Sequence, residues 1–331
     1  MKNMKVITML SLSFLLLTLL SIPTMAYTID GKLDDWGVNL QAGLAGNEGA
    51  WIPTKNTVDW IVEDNIDPTY TSDKAYPDWT GYKDTGTHIQ KSGNTYTAYK
   101  EPTLENSDWW AQVRGNHYLQ PAGGEHYDIE ALYFDDDAQN VYIAIVTSMP
   151  PEGYRDEYNR FVDAGDIAID LDDNLSTGEY GYEYGIKTHD NYKGMIRYNP
   201  HWSLPQATDG FIVNSPSQFD TGTGTFTGTA QLVYADSNIN ETVDYGSDGY
   251  KPEGSQNVSN YIIEAKIPKS ALGNPTVGQT SNIHVTIGCG NDLIELTPVT
   301  FKTDIPEFPS MALPVAAILG LMFIFGNKKK E

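Results

Sequence analysis

Cysteine is almost missing: the 331-residue chain has one, Cys289. No internal disulfide can form, so stability must come from a core rather than from covalent staples. Cys289 lies in an apolar, strand-like run and reads as packing rather than as a nucleophile. Basic residues are scarce, with 21 Lys and Arg against 44 Asp and Glu and a formal charge of −23. Such a surface repels polyphosphate, which excludes DNA and RNA as partners. The acidity suits solubility in salt, calcium binding, or a surface layer bridged by divalent cations. Enzyme signatures are missing too: there is no Gly-x-Ser-x-Gly, no His-Glu-x-x-His and no phosphate loop. The histidines, including His117 and His126, lack metal-ligand spacing. Carboxylates are too numerous to single out a glycosidase pair. The chain reads as non-enzymatic.

Long apolar runs occur only at the two ends. Lys2 and Lys5 precede an apolar run from Val6 to Ile22, then Pro23, and small residues up to Ala26. This is the order of a secretory signal over residues 1–26, cleaved after Ala26; an uncleaved anchor is the alternative. At the other end, residues 304–331 hold Pro306-Glu307-Phe308-Pro309, an apolar stretch from Met311 to Phe325, and Lys328-Lys329-Lys330. The stretch falls short of the ~20 residues that span a bilayer comfortably, but a short helix crosses by thinning the bilayer or by snorkelling its lysines. The basic tail stays cytoplasmic, which leaves everything upstream outside.

Between the ends, residues 27–303 read as one mostly β domain. Strand patterns run from His126 to Phe134, Val141 to Val146, Asp166 to Asp170, Tyr182 to Ile186, Phe226 to Tyr234, Tyr261 to Ile267 and Ile283 to Gly288. The acidic turn from Asp135 to Asn140 joins the first two into a hairpin. One short helix is expected over Pro268–Gly273, ended by its glycine. Many short strands with polar turns between them predict an antiparallel β-sandwich. The stretch of about 41–124 is polar and holds Trp51, Trp60, Trp79, Trp109 and Trp110. A loop so long is improbable without structure of its own, so it should contribute strands and elaborate one end of the sandwich.

Two resemblances add to this reading. The motif, apolar helix and basic tail around Pro306, Glu307, Phe308 and Pro309 resemble the PEF-CTERM sorting signals of archaeal surface proteins. In that family an archaeosortase processes the tail, which implies that enzyme as a partner and a cell-surface address; a plain single-pass anchor gives the same address. The opening Thr28-Ile29-Asp30-Gly31 with Trp36 resembles the start of family-nine carbohydrate-binding modules. The runs at 127–134, 141–147, 165–170, 182–186 and 263–268 resemble their later strands, and 284–292 resembles a closing strand of exported proteins with such tails. This implies a sandwich in which Trp36 packs inside, and a glycan as ligand; fold likeness alone transfers function poorly.

The candidate site residues follow from chemistry. Flat aromatic faces suit sugar rings, and Trp109, Trp110 and Trp202 stand in polar surroundings as glycan platforms, with core packing the commoner fate of any one of them. Calcium needs several oxygens at short spacing, and Asp170, Asp172, Asp173 and Asn174 follow a strand closely enough to converge on one ion. This is no EF-hand, since Leu175 stands where the loop glycine belongs. Asp135 to Asp137 is a second candidate, or a solvated turn. Asn174, Asn240 and Asn257 each open an N-glycosylation sequon in stretches that read as loop. The leading expectation is an exported, glycan-binding surface protein. The alternatives are a structural surface or matrix component without a small ligand, and a secreted glycoside-active enzyme.

Overall fold

The computed structural model describes residues 27–43, 48–62, 89–92, 95–98, 127–155, 159, 161–205, 216–244, 255–290 and 293–302. Tyr27–Asp304 forms one compact unit. The expected signal, the sorting motif and the C-terminal apolar stretch lie outside the described residues. Among those described, no helix is long and apolar enough to cross a membrane.

Strands dominate. They are β1 (Asp59–Val62), β2 (Ile89–Ser92), β3 (Thr95–Ala98), β4 (Ile129–Asp136), β5 (Asn140–Thr147), β6 (Tyr154–Arg155), β7 (Phe161–Val162), β8 (Ile167–Asp170), β9 (Tyr184–Ile186), β10 (Met195–Tyr198), β11 (Trp202–Ser203), β12 (Gln218–Phe219), β13 (Thr225–Thr229), β14 (Gln231–Asp244), β15 (Ser255–Pro268), β16 (Thr280–Thr286) and β17 (Leu293–Thr300). A seven-stranded sheet has the order β14-β15-β5-β4-β1-β2-β3, and a six-stranded sheet the order β13-β10-β9-β8-β16-β17. Neighbouring strands in both are antiparallel.

One core joins the two sheets. Leu132, Ile143 and Ile263 of the first pack with Ile169, Ile186, Ile283 and Ile294 of the second. Burying each such side chain stabilises by ~1.5–3 kcal/mol. The continuous apolar run of β5 has a separate cause: Val141, Ile143 and Ile145 face this core, while Tyr142, Ala144 and Val146 face a second cluster. The N-terminal segment supplies that second cluster through Tyr27, Leu33, Trp36, Trp51 and Val58, so the first sheet is covered on both faces.

Where it is described, the tryptophan-rich stretch supplies strands, at the side of the first sheet rather than at one end of the sandwich. It adds β1, β2 and β3 to the edge of the first sheet and buries Trp51 and Trp60. The expected hairpin is β4–β5, and the expected short helix is a 3-10 turn at Lys269–Leu272 ended by Gly273 at φ 76°. Two expectations are corrected. The run from Phe226 to Tyr234 is not one strand: the Ala230 N–H bonds to Gly194 and the chain passes from β13 in one sheet to β14 in the other. Asn240 and Asn257 lie in β14 and β15, not in loops. In that hairpin arm the two strands pair only with each other, a ladder of backbone hydrogen bonds that needs no apolar pattern. Cys289 stands in a turn just beyond β16, half-buried against the core.

Acidic residues hold this fold together. Glu264 on β15 accepts the N–H groups of Asp30 and Gly31 at 3.0 and 3.1 Å and the Trp36 indole N–H at 2.9 Å. The Ile-Asp-Gly turn and its tryptophan are thus fixed by one carboxylate. Asp135 accepts from the Tyr27 hydroxyl at 2.5 Å and from Thr57 at 2.7 Å. Asp136 pairs with Lys269 at 2.6 Å, both side chains fully buried, and takes the Lys302 N–H. Asp137 closes the β4–β5 turn through Gln139, Asn140 and Tyr142. Asp135 to Asp137 is therefore neither a solvated turn nor a cation loop.

Candidate functional site: the Asp170–Glu183 loop and the face beneath it

The outer face of the six-stranded sheet is polar around Asp170, Glu183 and Asn282 and apolar where Ala168, Tyr182, Trp202 and Phe219 cluster. β8 pairs with β9 through Ile169 opposite Tyr184, so the next residues in register, Asp170 and Glu183, meet on the outer face. The chain between them folds back over the strand ends. Single oxygens of Asp170, Asp172 and Glu183 come within 4.8 Å of one another, which suits a divalent cation. Hydrogen bonds order the trio. Asp170 accepts from the Asn174 N–H at 3.1 Å and from Asn282 at 3.0 Å. Thr177 donates to Asp172 at 2.8 Å and also to Glu183, which takes the Leu171 N–H at 2.8 Å.

The electrostatics lean one way. Burial pushes the Asp170 and Glu183 carboxyls up, their hydrogen bonds oppose it, and the charge of Asp172 adds to the rise. Glu295 on β17, one strand beyond β16, is pushed up to about 7 by burial and by Asp170. No ion pair among the described residues places a cation on this trio. A bound divalent ion would take three carboxylate oxygens here and needs further oxygens from water or backbone to reach six to eight.

Of the four expected ligands, Asp170 and Asp172 are brought together. Asp173 instead accepts from Asn282 at 3.0 Å, and the Asn174 side-chain oxygen accepts the Ser176 N–H at 3.1 Å, so neither joins the trio. Glu183 was missed. Its signal was the step from Glu183 to the inward-facing Tyr184, which sets Glu183 on the opposite face, although Tyr182 breaks the alternation by joining the outer cluster.

Trp202 is not a sugar platform. It lies on β11, 1% exposed, edge-on to Phe219 at 5.4 Å and to Tyr182 at 6.4 Å. The small β11–β12 hairpin, with Tyr182 and Ala168, caps this face as a separate apolar cluster. Its polar sequence context misleads because the neighbours that bury it are distant in sequence. Beneath, His284 stacks on Tyr182 at 5.3 Å, and burial pulls it down to about 3, so it is neutral at ordinary pH. Among the described residues, its Nδ1 and the Trp202 Nε1 find no hydrogen-bond partner. Trp109 and Trp110 lie outside the described residues.

A second polar group locks the same hairpin. Asp166 holds Lys187 at 3.0 Å and the Phe219 N–H at 3.0 Å, and His189 meets Asp163 at 3.1 Å. Burial works against a charged His189, but Asp163 and Asp166 outweigh it and raise the ring.

Comparison with known families gives one match. Residues 305–329 match the PEF-CTERM archaeal protein sorting domain. The chain is thus marked as an exported protein anchored at the cell surface by its C-terminus, with an archaeosortase as its processing partner. No curated protein matches the chain.

Proposed function

We propose that this is a non-enzymatic surface protein that displays an acidic β-sandwich outside the cell after an archaeosortase cuts its tail. The observation that carries the reading is the sorting-domain match at 305–329, which begins just beyond the last described residues of the sandwich. The test is the mass of the mature C-terminus in archaeal cells with and without the transpeptidase. Loss of the 305–329 peptide only when the enzyme is present is expected. Its retention in both strains sinks the cutting, and cytosolic protein sinks the export.

The molecular role in this reading is glycan binding by a sandwich like those of family-nine carbohydrate-binding modules. The ordered motifs support it, as do the exposed rings of Tyr180, Tyr192, Tyr198 and Phe226, with Trp109 and Trp110 kept as further platforms. A polysaccharide array, run with calcium and then with chelator, tests it. Binding to one glycan class is expected, and no binding in either condition removes this role. A structural role in a cation-bridged surface layer is the second reading, favoured by the Asp170, Asp172 and Glu183 trio and the charge of −23. In that case calcium raises the melting temperature and Asp172→Asn reduces the rise.

A further inference from the structure

The three sequons fall in two kinds of backbone. Asn174, Leu175 and Ser176 occupy an exposed turn, with Leu175 80% exposed. Every other polar group of Asn174 is engaged: its N–H donates to Asp170, its carbonyl accepts from Thr177, and its Oδ1 accepts the Ser176 N–H. Among the described residues no group accepts from its Nδ2. The turn thus brings the asparagine amide against the residue two places on, which carries the sequon's hydroxyl. This is the compact geometry in which the amide and that hydroxyl can be read together.

Asn240 and Asn257 are placed otherwise. The β14–β15 ladder sets Asn240 opposite Ser259 and Thr242 opposite Asn257, so the two sequons run antiparallel against each other. Extended backbone holds each asparagine ~7 Å from the residue two places on. Folding them back into a turn would break the ladder on both strands at once.

We propose that Asn174 is the N-glycosylation site of this protein, and that Asn240 and Asn257 are passed over because they are paired in the arm. The step forms a bond from Asn174 Nδ2 to the anomeric carbon of an oligosaccharide. It breaks the bond from that carbon to a phosphate oxygen of a lipid carrier. One Nδ2 proton leaves with the released lipid phosphate, and nothing is oxidised or reduced. A glycan there retains Oδ1 and with it the turn. It would stand over the Asp170–Glu183 loop, beside Tyr180.

The inference needs export, so the test uses full-length protein recovered from the protease-accessible surface pool of a glycosylating archaeal host. A co-expressed exported protein of known glycosylation serves as positive control. Trypsin releases 161–187, which holds Asn174, separately from 198–266, which holds the other two sequons. A hexose-containing mass increment on 161–187 is expected in the parent and in Ser176→Thr. It should vanish completely in Asn174→Gln and in Ser176→Ala, with 198–266 unmodified throughout. An unmodified 161–187 beside a modified control, or a glycan on 198–266, overturns the proposal. Absence from the surface pool counts instead against the display reading.

Discussion

Glu264 offers the sharpest test of how the N-terminal motif is held. Its carboxylate receives three N–H donors, two from the backbone of the Asp30–Gly31 turn and one from the fully buried indole of Trp36. Glu264→Ala strands all three. The Trp36 N–H has no route to water, and an orphaned buried donor costs about 1–3 kcal/mol. Asp30 is exposed, so the turn regains part of its loss from solvent. The expected total is about 3 kcal/mol, read as a lower urea midpoint for residues 27–303 by tryptophan fluorescence and circular dichroism together. Burial pushes Glu264 up to about 7 against these same hydrogen bonds. A carboxyl raised on folding stabilises fully below its unfolded value of 4.5, and the contribution is lost as pH rises through about 7. Wild type should therefore be more stable near pH 5 than near pH 8. Glu264→Gln should reduce that difference, and Glu264→Gln with Glu295→Gln should reduce it further, since Glu295 is raised to about 7 as well, leaving the part carried by Asp166, Asp170, Glu183 and His189. A loss below about 1 kcal/mol in Glu264→Ala, or an unchanged pH slope in the double variant, refutes the reasoning.

Other outcomes are equally open to measurement. Lys269→Met leaves Asp136 without its buried partner and should cost about 3–5 kcal/mol in denaturant unfolding, part of it restored by Asp136→Leu in the same chain. Gly165→Ala puts a methyl group into the Thr286 carbonyl oxygen, whereas Gly228→Ala meets only the Ala271 methyl. The first should unfold or fail to accumulate, and the second should shift the melting temperature by a few degrees. Trp202→Ala should destabilise by about 3–5 kcal/mol and leave any glycan affinity per folded molecule unchanged, because the ring is sealed under the β11–β12 hairpin.

Much of the sandwich was legible because period and burial agree. The β4–β5 hairpin showed itself through a fully apolar run beside an acidic turn, and covering both sheet faces explains that run. The switch at Ala230 was not legible, since alternation continues through it and only the pairing partners change. Asn240 and Asn257 were misplaced because a two-stranded arm has no need of an apolar face, so its composition matches that of a loop. At the site, local spacing found Asp170 and Asp172, but Glu183 enters through a strand pairing that spacing does not encode. Asp135 to Asp137 looked solvent-facing because its partners, Tyr27, Thr57, Lys269 and Lys302, come from remote parts of the chain.

The pinned exit of the domain has a mechanical meaning. Phe301 is buried edge-on to Phe134 at 5.7 Å, the Lys302 N–H binds Asp136, and the Lys302 ammonium lies 3.0 Å from Asp59. Any tug from a surface anchorage enters at this point. β17 is an edge strand whose backbone ladder, among the described residues, is shared with β16 on one side. The clamp at its end stands between the tether and the ladder. Load passes into β1 and β4, deep in the other sheet, before the edge strand is asked to bear it. A sandwich fastened in this way takes the pull of its leash across both sheets rather than along one edge strand.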